Sequence, residues 1–188
     1  LLIDTRDNKI VPSTGINWVT NLKYLSGLND NSYDKVTQVN SDFSFHLNLI
    51  KDWLTFANRV GAGITMGENP TATDNKFEFY QAQYLGLEDN LRGYRKQRFA
   101  GRSKIYNQAE LRLKIANLKT YLFPAAFGVY AFFDAGTVKA FKDEKTKKTL
   151  MGYGAGLWFA PLRRIVLTVS YAMSDEDKIP LVGLGWKF

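Results

Sequence analysis

Two groups of residues in this 188-residue chain have types and spacing that could do chemistry. The first is a pair of carboxylates, Glu110 and Asp134, with an arginine, Arg92, upstream of both. Each acid sits where apolar and polar residues alternate, the period-2 signature of a β-strand. Ala109, Leu111, Leu113 and Ile115 share one face, against Gln108, Glu110, Arg112 and Lys114. Phe127, Val129, Ala131 and Phe133 share the next, against Gly128, Tyr130, Phe132 and Asp134. Parity therefore predicts both carboxylates on the polar side of adjacent strands, where they repel unless a cation lies between them. Arg92 belongs to a glycine- and arginine-rich connection over 88–103 and can supply that cation. A planar guanidinium stays charged and matches carboxylate geometry, so it could bridge both acids. Gly93 permits a tight turn, and Tyr94 offers a ring to pack on the wall. Two carboxylates also equip a glycosidase, but an arginine between them holds both ionised and leaves no general acid.

The second group is Ser44, His46 and Asn48, which share one strand face as i, i+2 neighbours. A lipid-hydrolysing barrel would use a serine, a histidine and an asparagine. The plainer reading is a polar stripe on one strand. With a single histidine and no cysteine, a transition-metal site lacks ligands, and neither metal nor cofactor is expected.

The elements that must hold these groups read as strands throughout. Ile16, Trp18, Thr20, Leu22 and Tyr24 oppose Asn17, Asn21 and Lys23. Phe43, Phe45, Leu47 and Leu49 follow, then Leu54, Phe56, Val60, Ala62, Ile64 and Met66 opposite Thr55, Ala57, Arg59, Gly61 and Gly63. An aromatic strand is predicted from Phe77 to Leu87. Met151, Tyr153, Ala155, Leu157 and Phe159 alternate with Gly152, Gly154, Gly156 and Trp158, and Ile165, Leu167, Val169 and Tyr171 with Val166, Thr168 and Ser170. Val182, Leu184, Trp186 and Phe188 close the chain in phase. Turns are predicted around Pro12 and Gly15, at 26–31 and at 68–75. The total is about ten strands and no amphipathic helix, an all-β chain.

No apolar run approaches the ~20 residues of a transmembrane helix. Aromatics are nevertheless 14% of the chain, and its mean hydropathy is −0.25, as alternating barrel strands would average. Short connections such as 160–164 alternate with long charged ones at 88–103 and 139–149, and aromatics cluster at strand ends. A sandwich core could not bury Glu110, Arg112, Lys114 and Asp134 unpaired, whereas a wet interior tolerates them. These features predict an antiparallel transmembrane β-barrel. The charge of +7 and pI near 9.5 fit basic residues spread over an interior and lipid head groups. No basic run interleaves with stacking aromatics, so no nucleic acid is expected as a partner.

Leu91-Arg92-Gly93-Tyr94 resembles the loop motif of the BamA/TamA superfamily, the bacterial surface antigen barrels. Phe132-Phe133-Asp134-Ala135-Gly136 resembles that family's Phe-x-Asp strand motif, and Ala109-Glu110-Leu111-Arg112 its preceding strand with an acidic residue. The resemblance extends over essentially the whole chain. It implies an outer-membrane barrel of about sixteen strands, of which residues 1–188 would be roughly the last ten. Leu1-Leu2-Ile3-Asp4, without a signal peptide and like the middle of a strand, fits such a C-terminal portion. The implied function is assembly and insertion of outer-membrane proteins, or polypeptide translocation, without catalysis. Implied partners are outer-membrane lipid and lipopolysaccharide, unfolded outer-membrane clients, upstream POTRA domains and accessory assembly proteins. The implied site is Arg92 against Glu110 and Asp134, with Leu91, Gly93, Tyr94, Phe132 and Gly136 around it. Val182, Leu184, Trp186 and Phe188 resemble the C-terminal signal by which such barrels are recognised, and Gly183 and Gly185 suit a seam strand that opens. The alternatives are a passive porin-like channel and an outer-membrane lipid hydrolase.

Overall fold

Alternation at every second residue carries through to the backbone. A computed structural model describes residues 1–25, 35–68, 82–87, 90–119, 124–139, 149–162, 164–186 and 188. The strands are β1 (Leu2–Asp4), β2 (Gly15–Leu25), β3 (Lys35–Ile50), β4 (Leu54–Glu68), β5 (Gln83–Leu85) and β6 (Phe99–Gly101). They continue with β7 (Ser103–Lys119), β8 (Pro124–Lys139), β9 (Leu150–Pro161), β10 (Leu167–Ser174) and β11 (Lys178–Leu184). Among the described residues no helix is long and apolar enough to cross a membrane, which says nothing of crossing by strands.

Nine strands form one sheet in the order β1-β2-β3-β4-β7-β8-β9-β10-β11, each antiparallel to its neighbour. Its two faces invert the pattern of a soluble protein. Leu22, Leu157 and Val182 stand 72%, 64% and 76% exposed on the outside. Gln108, Glu110, Arg112 and Asp134 are buried inside. A sandwich would cover the apolar face with a second sheet, whereas a wall facing lipid leaves it bare. The sheet curves around its interior: the ring of Phe188, beyond β11, lies 6.3 Å from that of His46 on β3. The connection from β1 to β2 folds beneath this interior. Asp7 accepts the Ser13 and Thr14 amides at 2.9 and 3.1 Å, which brings Ile10 and Val11 against the Tyr130–Trp158 cluster.

The aromatic stretch expected as a wall strand from Phe77 to Leu87 is a correction. β4 pairs directly with β7, so nothing from that stretch lies between them. Its described part contributes β5, which pairs with β6 in a separate two-stranded sheet. Leu85 is fully buried in a cluster with Leu91, Tyr94, Tyr106 and Leu150, and that burial draws the segment inward. Gly86, with φ +135°, and Leu87, with φ 63°, then turn the chain back. The turns expected at 26–31 and 69–75, residues 77–81, Glu88 and the connection over 140–148 lie outside the described residues.

Polar pairs interrupt the apolar outer face, one of them between β4 and β7. Asn58 and Asn107 exchange reciprocal amide hydrogen bonds at 3.2 and 3.1 Å between β4 and β7. Asn58→Ala should cost about 1–2 kcal/mol, because it strands the Asn107 amide in an apolar setting. Replacing both by leucine should restore stability, measured by the temperature at which the barrel loses its heat-modifiable gel mobility.

Candidate functional site

The interior is organised around four charges that sum to zero. Arg92 Nη2 and Nε donate to the two carboxylate oxygens of Asp134 at 2.6 and 2.7 Å, and its backbone N–H adds a third bond at 2.9 Å. Arg92 Nη1 reaches Glu110 at 2.5 Å. The other Glu110 oxygen takes Arg112 Nε at 2.8 Å and Nη2 at 2.6 Å. The four side chains are at most 5% exposed. Burying charge is tolerable only when it is paired and hydrogen-bonded, and this tetrad is both. Bidentate pairing also fixes direction, so Arg92 is held by geometry as well as attraction. Its guanidinium carbon lies 3.8 Å from the Phe132 ring centroid, which gives that ring its place in the site.

The register explains how the acids meet one arginine. Glu110 pairs with Phe132 and Gln108 with Asp134 across β7 and β8, so the carboxylates are diagonal neighbours on one face. The loop reaches them through a tight local fold. Leu87 and Leu91 form a bridge, Leu91 N–H donates to the Leu87 carbonyl at 3.0 Å, and the Asn90 side chain caps the Gly86 amide at 2.8 Å. Gly93 has φ +90°, and a Cβ there would stand 2.8 Å from the Met173 carbonyl oxygen. Gly136 leaves room for Leu85: a Cβ would stand 3.1 Å from its Cδ1.

Tyr94 is buried, edge-on to Phe99 at 5.2 Å. Its hydroxyl donates to Asp175 at 2.5 Å, with the Met151 carbonyl at 3.2 Å. Burial, together with the Asp175 carboxylate, pushes this phenol up to about 12, so at neutral pH the hydroxyl keeps its proton and is the donor.

The C-terminal set does not keep one phase. Val182 and Leu184 are outward and exposed, but β11 ends at Leu184 and Gly185 turns the chain with φ +81°. Trp186 then packs edge-on to Tyr130 and Trp158 in the interior, and Phe188 is buried beside His46. Arg112 provides the reason: its guanidinium carbon lies 3.8 Å from the Trp186 ring centroid and 5.3 Å from that of Phe188.

Ser44 and His46 lie on the inner face, yet they form no relay. Ser44 donates to the Asn17 carbonyl at 3.3 Å and not to His46, whose ring lies beside that of Phe188 instead. Sequence reasoning passed over Arg112, Gly152, Ser174 and Asp175 as site residues. Arg112 was visible as an inward charge two positions from Glu110, and Gly152 as one of three alternating glycines. Where a Gly152 Cβ would stand, it meets the Arg92 carbonyl oxygen, so the loop backbone runs directly over β9.

No curated protein matches the chain. A family model described as the Omp85 superfamily domain does, over residues 1–188. That span contains the nine-stranded wall and the loop folded against it alike, and the chain belongs to the Omp85 superfamily.

Proposed function

We propose that the chain is the C-terminal portion of an outer-membrane barrel that inserts outer-membrane proteins or translocates polypeptides without chemical catalysis. In this reading Arg92 latches the loop inside the barrel on Glu110 and Asp134, and the latch stabilises the active form. Leu91, Gly93 and Tyr94 shape the loop, and Phe132 and Gly136 complete the wall that receives it. The observation that carries the reading is one arginine shared by two buried carboxylates on adjacent strands, in a chain of this superfamily. Its partners are outer-membrane lipid and lipopolysaccharide, unfolded barrel clients, and POTRA domains with accessory assembly proteins upstream. Val182 and Leu184 stay on the lipid side as part of the recognition signal, with Trp186 and Phe188 supplying its aromatic end.

The test is a charge swap in the full-length protein. Arg92→Glu and Asp134→Arg are made singly and together, and the folding rate of a client barrel is followed in lipid vesicles. Each single change should abolish acceleration, and the pair should recover part of it. Normal rates in both singles would refute the latch. A steady single-channel conductance with no acceleration of client folding would instead identify a passive porin, and phospholipid hydrolysis a lipase.

A further inference from the structure

The loop is gripped at a second place, away from the tetrad. The turn between β10 and β11 reads Ser174-Asp175-Glu176-Asp177, and each of its residues takes a partner from Gly93–Arg98. Ser174 Oγ donates to the Gly93 carbonyl at 2.7 Å. The Tyr94 hydroxyl donates to Asp175 at 2.5 Å. Arg95 reaches Asp177 at 3.1 Å and Arg98 reaches Glu176 at 2.9 Å. These contacts differ in weight. Arg95 is 77% exposed and Arg98 52%, so water and salt screen their pairs. Tyr94 is buried, and a hydrogen bond from it to a carboxylate is of the strong, charge-assisted kind.

This turn is also where β11 begins. At the strand's far end Glu110 holds Arg112, which stacks on Trp186 and places Nη2 3.5 Å from the Phe188 carbonyl. The loop therefore meets the terminal strand directly before its first residue, through the 174–177 turn, and after its last at one remove, from Arg92 through Glu110 and Arg112. The loop backbone bridges the two, crossing β9 where Gly152 gives it room and β10 where Gly93 lies against Met173.

We propose that the Ser174–Asp177 turn is a second seat for the inward loop, and that through it loop seating and the placement of β11 depend on each other. The inference rests on the latch reading of Arg92 and extends it to the terminal strand. Linkage makes the dependence reciprocal: whatever draws β11 out of place weakens the seated loop by the same factor that unseating the loop weakens β11. Ser174 and Asp175 are positioning residues in this scheme; they act on the loop, not on a substrate.

Hydrogen exchange on the full-length protein in lipid bilayers tests it, because exchange reads local opening segment by segment. Three variants are compared with the parent: Tyr94→Phe, Ser174→Ala with Asp175→Asn, and Arg92→Ala. Tyr94→Phe keeps the ring on Phe99 and removes only the hydroxyl, so it leaves the fold standing. Losing a hydrogen bond to a charged group corresponds to about tenfold or more in an opening equilibrium. Exchange should therefore rise about tenfold in Gly93–Arg98 and, in the same samples, in Lys178–Leu184. A faster loop with an unchanged β11 would overturn the coupling. Unchanged exchange in both segments of the turn variants, with Arg92→Ala still opening the loop, would overturn the second seat alone. Should Arg92→Ala also leave every segment protected, the latch reading itself would fall.

Discussion

Glu110→Gln is expected to be the most damaging single substitution in the interior. Glu110 is the one residue of the tetrad that touches both arginines. Neutralising it leaves Arg92 and Arg112 facing each other with only Asp134 to balance them. Removing one partner from a buried ionic group typically costs about 3–5 kcal/mol, because the remaining charge is stranded where water cannot reach it. That corresponds to a fall of roughly a hundredfold to several thousandfold in the seated population. Limited proteolysis of the loop should register the loss, and client folding should fail with it. Charge arithmetic supplies the control. Adding Arg112→Met to Glu110→Gln returns the group to one cation and one anion, Arg92 with Asp134. Seating should recover in the double variant, although the stacking of Arg112 on Trp186 does not. Costs that simply add would show that neutrality is not what holds the group together.

Gly152→Val should be nearly as severe and for an unrelated reason. The missing side chain at 152 is the space through which the Arg92 carbonyl oxygen passes. Two backbones in contact cannot relax as two side chains can, so overpacking here is expected to exceed the usual ~1–3 kcal/mol. The wall strands themselves should persist, since valine favours a β-strand. The expected result is a folded, heat-modifiable barrel whose loop is cut rapidly by protease and which has lost activity. Gly183→Ala is the matching control. A Cβ there meets only the Thr168 hydroxyl, at 2.7 Å, which can rotate away, and seating should survive. Retained loop protection in Gly152→Val would mean that the close passage over β9 is not needed.

Which side chains face inward was legible in the sequence because alternation is a local property of an extended backbone. Glu110, Arg112 and Asp134, charged yet at most 4% exposed, sit on the side that parity assigns them. The segment from Phe77 to Leu87 carried an aromatic strand pattern too, and there the pattern misled. A strand that packs inside the wall needs apolar residues just as a strand within it does, so composition cannot separate them. Trp186 and Phe188 failed differently. They continue the outward phase of Val182 and Leu184 on paper, but one positive φ at Gly185 resets the direction, and a stacked Arg112 rewards the inward choice. The acidic turn at 175–177 looks like an ordinary solvated tip until the loop is laid across it. Contacts of that kind join residues about eighty positions apart, and no local pattern records them.

The wall is not of even height. β7 has 17 residues and β8 16, whereas β10 has 8 and β11 only 7. At about 3.4 Å per residue and a tilt near 40°, β7 spans well over the hydrocarbon core of a bilayer, and β11 about 18 Å. In an outer membrane the apolar band beside β10 and β11 would thus be the shallowest stretch of the wall, to be met by thinner lipid, by flanking side chains reaching to the interface or by a neighbouring protein. The shortest part of the wall is also the part against which the inward loop rests.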